Sequence, residues 1–108
     1  MHFKAVELRG DSMAPTFNEG DWLLFIGLRA NLESLVGKVV LIRRRSGAGS
    51  DFLAIKRAIR IDGASVWVEG DNKESSTDSR SWGAISSDEV IGKLLLRYHK
   101  RNKRGEKT

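Results

Sequence analysis

Two side chains in this 108-residue sequence have the chemistry to break a bond together: Ser12 and Lys56. Ser12 lies in Gly10-Asp11-Ser12-Met13-Ala14-Pro15-Thr16, a Gly- and Pro-bounded stretch between two apolar runs. Such a turn presents a small hydroxyl on a rigid support. A serine hydroxyl is a weak nucleophile until a neighbouring base takes its proton. Histidine is a poor candidate for that base, since His2 stands among the first residues and His99 in a basic tail. Neither a Ser-His-acid triad nor a His-rich metal site is therefore expected. Cysteine is absent, which excludes thiolate nucleophiles, disulfides and thiolate metal sites. No metal and no cofactor are expected.

The base is sought among the lysines. In Phe52-Leu53-Ala54-Ile55-Lys56-Arg57-Ala58-Ile59, period-two alternation puts Phe52, Ala54, Lys56 and Ala58 on one face and Leu53, Ile55, Arg57 and Ile59 on the other. Burial among small and apolar neighbours disfavours the ammonium and lowers its pKa, as an amine needs before it can accept a proton near neutral pH. Lys4, Lys73 and Lys93 have polar or charged neighbours, Lys38 follows a turn, and Lys100, Lys103 and Lys107 are in the tail. A plainer alternative stands beside each assignment. Asp11, Ser12 and Asn18 are ordinary turn formers, and a lysine on a solvent-facing strand lays its stem over Phe52 and keeps its head in water.

The elements that must position these residues read as mostly β. Apolar or β-branched runs at residues 3–8, 22–26, 36–42, 52–61, 65–69 and 89–98 predict strands. Asp62-Gly63 marks a tight hairpin, residues 46–50 a Gly/Ser hairpin loop, and residues 30–35 at most one helical turn. Within residues 22–26, Trp22, Leu24 and Ile26 share one face and Leu23 and Phe25 the other, and so small a domain cannot cover both completely. With 40% hydrophobic residues the chain fits one small domain. Its longest apolar stretch, residues 22–26, is too short to span a bilayer, and no signal-peptide pattern opens it. The net charge of +5 resides after residue 96: Arg97, Lys100, Arg101, Lys103, Arg104 and Lys107 stand against Glu106, leaving residues 1–96 neutral. The expected organisation is a catalytic domain over residues 1–96 and a solvated, flexible basic tail over 97–108.

Three boxes carry a resemblance. Gly10-Asp11-Ser12-Met13-Ala14-Pro15-Thr16 followed by Asn18-Glu19-Gly20-Asp21, then Lys56-Arg57 inside an apolar strand, then Gly70-Asp71-Asn72 with Ser76, Asp78, Ser79, Arg80, Trp82 and Gly83, resemble in order the boxes of the type I signal peptidases, the S26-type Ser-Lys peptidases. The Ser-Met pair is shared with the self-cleaving repressor peptidases, whereas the third box has no counterpart there. The resemblance implies a small antiparallel-sheet catalytic core. It implies Ser12 as nucleophile, Lys56 as base, Ser76 as the hydroxyl that orients the amine, and Asp78 with Arg80 as an ion pair bracing the loop. The Ser12 N–H would be one oxyanion donor. Gly10 stands where some members place a second, hydroxyl donor.

The departures are a missing membrane anchor before the Ser box, no Pro-Gly-Asp after the lysine box, and no large second β-domain. Short, anchorless members include the maturation proteases of nickel-type superoxide dismutase, to which this chain is similar in size and box spacing. The implied function is a serine endopeptidase that removes an N-terminal leader or signal segment from a precursor protein. The implied setting is cytoplasmic, with membrane contact at most peripheral and no nucleic-acid partner. Two alternatives stand against it. A repressor-type self-cleaving domain needs a cleavage site upstream of Ser12, and a basic nucleic-acid module needs aromatics interleaved with its cations, where the basic stretch offers only Tyr98.

Overall fold

The computed structural model describes residues 2–27, 31–45 and 50–98. They form one antiparallel sheet of seven strands in the order β1-β2-β7-β3-β4-β5-β6, where β1 is Phe3–Glu7, β2 Trp22–Ile26, β3 Val39–Arg44, β4 Phe52–Asp62, β5 Ser65–Glu69, β6 Ile85–Ser86 and β7 Val90–Tyr98. The mostly β, antiparallel, single-domain expectation holds.

β3 is the centre of the molecule, paired with β7 on one side and β4 on the other. Its Val-Val-Leu-Ile run is buried on both faces, as continuous rather than alternating apolarity requires. Val40 and Ile42 join Leu35, Ala58, Val66, Val68, Ile85 and Val90 in one apolar cluster. Val39 and Leu41 join Leu8, Met13, Leu23, Phe25 and Ile55 in the other. Two thin cores therefore sandwich one strand.

The structure moves several boundaries. The third strand begins at Val39 and not at residue 36, because Gly37 takes φ +84° and Val36–Lys38 turn after a short 3-10 segment, Leu32–Leu35. Arg43 and Arg44 lie inside the strand they were expected to end. Residues 28–30 and 46–49 lie outside the described residues, so the Gly/Ser loop does too. The Asp-Gly hairpin forms with Asp62 paired to Ser65 and Gly63 at φ +62°. A register shift between Ala58 and Arg60 makes Ile59 an extra residue, and this brings Ile61 onto the Ala58 face. The short β6 was not anticipated. The expected boundary after residue 96 falls within β7, which runs through Arg97 and Tyr98, while residues 99–108 lie outside the described residues.

As expected of β2, Leu23 and Phe25 are buried while Trp22, Leu24 and Ile26 are only half-buried. Phe3 and Leu96 are exposed on that outer face, paired with Ile26 and Leu24. Among the described residues no helix is long and apolar enough to cross a membrane.

Candidate active site

Ser12 is carried on a compact turn between β1 and β2. The Leu8 N–H donates to Asp21 O (2.8 Å) and the Gly20 N–H to Leu8 O (2.9 Å), closing the base of the excursion. Within it, the Ala14 N–H donates to Asp11 O and the Phe17 N–H to Met13 O. Gly10 takes φ +84°, a conformation that favours glycine. Met13 is fully buried in the core beneath, so the residue after Ser12 anchors the turn while Ser12 itself stays half-buried.

Lys56 is 5% exposed. This resolves the two sequence readings of its strand: the amine is inside and does not reach over Phe52 into water. Its chain neighbours divide between the two cores, Ile55 in one and Ala58 in the other. Burial pushes the Lys56 pKa below that of an ordinary lysine; the negative charge of Asp78 partly offsets this, and the positive charge of Arg80 adds to it.

The amine donates to Ser76 Oγ at 3.2 Å, and that hydroxyl donates to Asp78 Oδ2 at 2.6 Å. Asp78 is fully buried. Its carboxylate also accepts from the Gly70 N–H (2.8 Å), the Arg80 N–H (3.1 Å) and the Arg80 guanidinium (2.9 Å). Burial alone would raise the Asp78 pKa, but these hydrogen bonds prevail and hold the carboxyl well below the usual carboxylate range. Asp78 also caps a one-turn helix, Ser79–Trp82, which sequence had shown only as loop. Arg80 extends the brace by donating to Lys73 O and Ser76 O. The structure thus brings Lys56, Ser76, Asp78 and Arg80 into one connected network.

Ser12 and Lys56 line one cavity of about 330 Å³, together with Val6, Glu7, Leu8 and Arg9 from the β1 side and Leu53, Ala54 and Ile55 from β4. Among the described residues no hydrogen bond joins Ser12 Oγ to Lys56 Nζ. In a site without substrate such contacts are commonly long.

Gly70-Asp71-Asn72 has no role legible in the sequence, yet Asp71 and Asn72 grip Asp11, Ser12 and Met13, and Gly70 lets the two segments approach closely. The Asn72 N–H donates to Ser12 O (2.8 Å), Asn72 Nδ2 to Asp11 O (3.1 Å), and the Asp71 N–H to Met13 Sδ (3.4 Å). A Cβ on Gly70 would collide with Ser76 Oγ and lie 2.6 Å from Ser12 O, so only glycine fits between the two halves of the site. Asp71 is clamped in turn by Arg57, which donates to both carboxylate oxygens (2.9 and 2.8 Å). That hydrogen bonding holds the Asp71 carboxyl below its usual range. Lys56-Arg57 was the signal available: neighbours on a strand point to opposite faces, so one serves the cavity and the other the grip.

The sequence model of the family described as "Signal peptidase, peptidase S26" matches residues 48–99, a span that holds Lys56, Ser76, Asp78 and Arg80 but not Ser12. The chain is 32% identical to mitochondrial inner membrane protease subunit 1 of Xenopus tropicalis over 82% of its own length and 64% of that protein's. It is 33% identical to mitochondrial ATP-independent inner membrane protease subunit 1a of Arabidopsis thaliana, over 83% and 67% of the two lengths. A probable signal peptidase I-1 of Synechocystis is 35% identical over 45% of the chain and 25% of that protein. The chain belongs to the peptidase S26 family, and it spans about two thirds of the length of the two mitochondrial relatives.

Proposed function

We propose that this chain is a serine endopeptidase of signal peptidase type, with Ser12 as nucleophile and Lys56 as general base, acting on precursor proteins. The observation that supports this most strongly is a buried lysine, pKa lowered, whose amine is held by a hydroxyl–carboxylate relay on the wall of a cavity that also holds a half-buried serine.

In this reading neutral Lys56 takes the Ser12 proton as Oγ attacks the substrate carbonyl carbon. The carbonyl oxygen becomes an oxyanion facing the Ser12 N–H. Collapse breaks the C–N bond, and the Lys56 ammonium returns its proton to the departing amine. Water then attacks the acyl-serine ester, giving its proton to Lys56; collapse breaks the C–Oγ bond, the Lys56 ammonium returns that proton to Ser12 Oγ, and the acid is released. Ser76 is a positioning residue, because its hydroxyl accepts from the amine while donating to Asp78. Asp78 and Arg80 are structural.

Two unsatisfied strand edges favour an extended substrate. Among the described residues β1 pairs only with β2, and residues 52–56 of β4 pair only with β3, since β5 engages β4 from Arg57 onward. Both edges border the Ser12 cavity. A precursor segment laid between them gains backbone hydrogen bonds from each. The apolar walls from Val6, Leu8 and Ile55 suit a small apolar residue beside Ser12.

The finer assignment is removal of an N-terminal leader or signal segment from a precursor protein, by general signal-peptide removal or by dedicated maturation of one precursor. Incubating the purified chain with candidate precursors and identifying new N-termini by mass spectrometry tests this. One defined cut after a small residue, absent in Ser12→Ala, is expected; unchanged precursors would refute it.

A further inference from the structure

The inward side of β1 carries charge in one place. Register pairs Lys4 with Phe25 and Val6 with Leu23, both partners fully buried, so Lys4 and Val6 share the side of β1 that faces the groove, Val6 half-buried and Lys4 exposed at its rim. Phe3, Ala5 and Glu7 pair with Ile26, Leu24 and Trp22 and alternate to the other side of the strand, with Glu7 still reaching the Ser12 cavity and Phe3 the second cavity. Val6 and Leu8 wall the Ser12 cavity. Lys4 lines a second cavity of about 200 Å³, floored by Phe25, Leu41 and Ile91, further along the same strand.

No acidic residue lines that second cavity, and Lys4 has no ion-pair partner among the described residues. The charge at the Ser12 end is already matched, since Arg9 pairs with Glu7 at 3.1 Å. An ammonium without a partner over an apolar floor, beside an unpaired strand edge, complements a carboxylate on an apolar stem. Lys4 and Leu8 are four positions apart, roughly 13 Å along a strand. A segment paired along β1 with its small residue beside Leu8 and Ser12 therefore presents its fourth residue away to Lys4, on the same inward side.

We infer that Lys4 is a specificity-determining residue: the groove selects precursor segments carrying an acidic side chain four positions from the residue seated at Ser12. The inference rests on the peptidase reading of the groove. Its test uses extended peptides with a central Ala-Ala and a single Glu, Gln or Lys moved through the other positions. Cleavage is followed with the wild-type chain, and binding by fluorescence anisotropy with Ser12→Ala.

At one position, four residues from the cleaved one, the Glu peptide is expected to bind and react roughly two- to fivefold better than the Gln peptide, the scale of an exposed ion pair. Lys4→Gln removes that advantage without altering the Gln peptide, and Lys4→Glu shifts the preference to Lys. Equal affinities of the Glu and Gln peptides at every position would overturn the inference. Failure of the wild-type chain to cleave any peptide would instead count against the peptidase reading, while the binding measurement still decides the role of Lys4.

Discussion

The two walls of the Ser12 cavity are built on different principles. On the β4 wall the lysine is fixed by side chains: Lys56 to Ser76, Ser76 to Asp78, and Asp78 to Arg80 and the Gly70 N–H. On the turn wall the serine is fixed through its backbone, by the Asn72 N–H on Ser12 O and by Met13 buried below. The difference matches the two tasks proposed for them. A base buried in low dielectric must have its proton affinity and direction set in advance, which takes charged and hydroxyl partners. A nucleophile needs its Cα in place and its hydroxyl free to turn toward substrate, which backbone bonds provide without occupying Oγ.

The largest expected effect comes from removing either end. Ser12→Ala and Lys56→Met each lower peptide cleavage by on the order of a thousandfold or more, because nucleophile and base act as a unit. Lys56→Arg is equally inactive, since a guanidinium stays protonated. Lys56→Met should match or exceed the wild type in thermal stability, as it replaces a buried amine with an apolar chain of similar length. A fall in its melting temperature would show that Lys56 is structural first.

Asp78→Asn comes next, and it should reduce stability and activity together. The carboxylate is buried and bonded to four groups, and a loss on the order of 2–4 kcal/mol in denaturant unfolding is expected. The pH dependence follows from the lowered pKa. Stabilisation by Asp78 is complete above the unfolded carboxyl pKa of about 3.9 and is lost as pH falls below it. Asp78→Asn should flatten that acid limb. Loss of activity at full stability would place Asp78 in the chemistry.

The two walls are compared most sharply by Ser76→Ala and Asn72→Ala. The first removes the acceptor that aims the amine, and cleavage should fall on the order of ten- to a thousandfold. The second removes one neutral hydrogen bond from Asp11 O while the backbone bond to Ser12 O remains, and about three- to tenfold is expected in kcat with KM unchanged. Equal losses in the two variants would erase the distinction between the walls.

How much of this was legible in the sequence differs between the walls. Residue type, turn chemistry and strand alternation made Ser12 and Lys56 candidates beside plainer readings, and the family resemblance singled them out, while Ser76, Asp78 and Arg80 were named only through resemblance. The grip on the turn was not legible. Contacts of Gly70, Asp71 and Asn72 with residues some sixty positions earlier depend on strand order, and a period-two pattern says nothing of which strands become neighbours. The same limit explains the third strand, where Val36 continues an apolar run that a positive-φ Gly37 breaks, and the extra residue at Ile59, which no composition signal marks.

The central claim is that a neutral Lys56 activates Ser12, and the pH dependence of kcat/KM for one Ala-terminated leader peptide tests it most directly. The wild-type rate should rise with pH through a single deprotonation below the ordinary lysine pKa of about 10.4, because burial lowers the amine's proton affinity. Ser76→Ala should move that midpoint, and Lys56→Met should stay inactive at every pH. A Lys56→Met variant that keeps a substantial share of the rate with the wild-type pH profile would contradict the account.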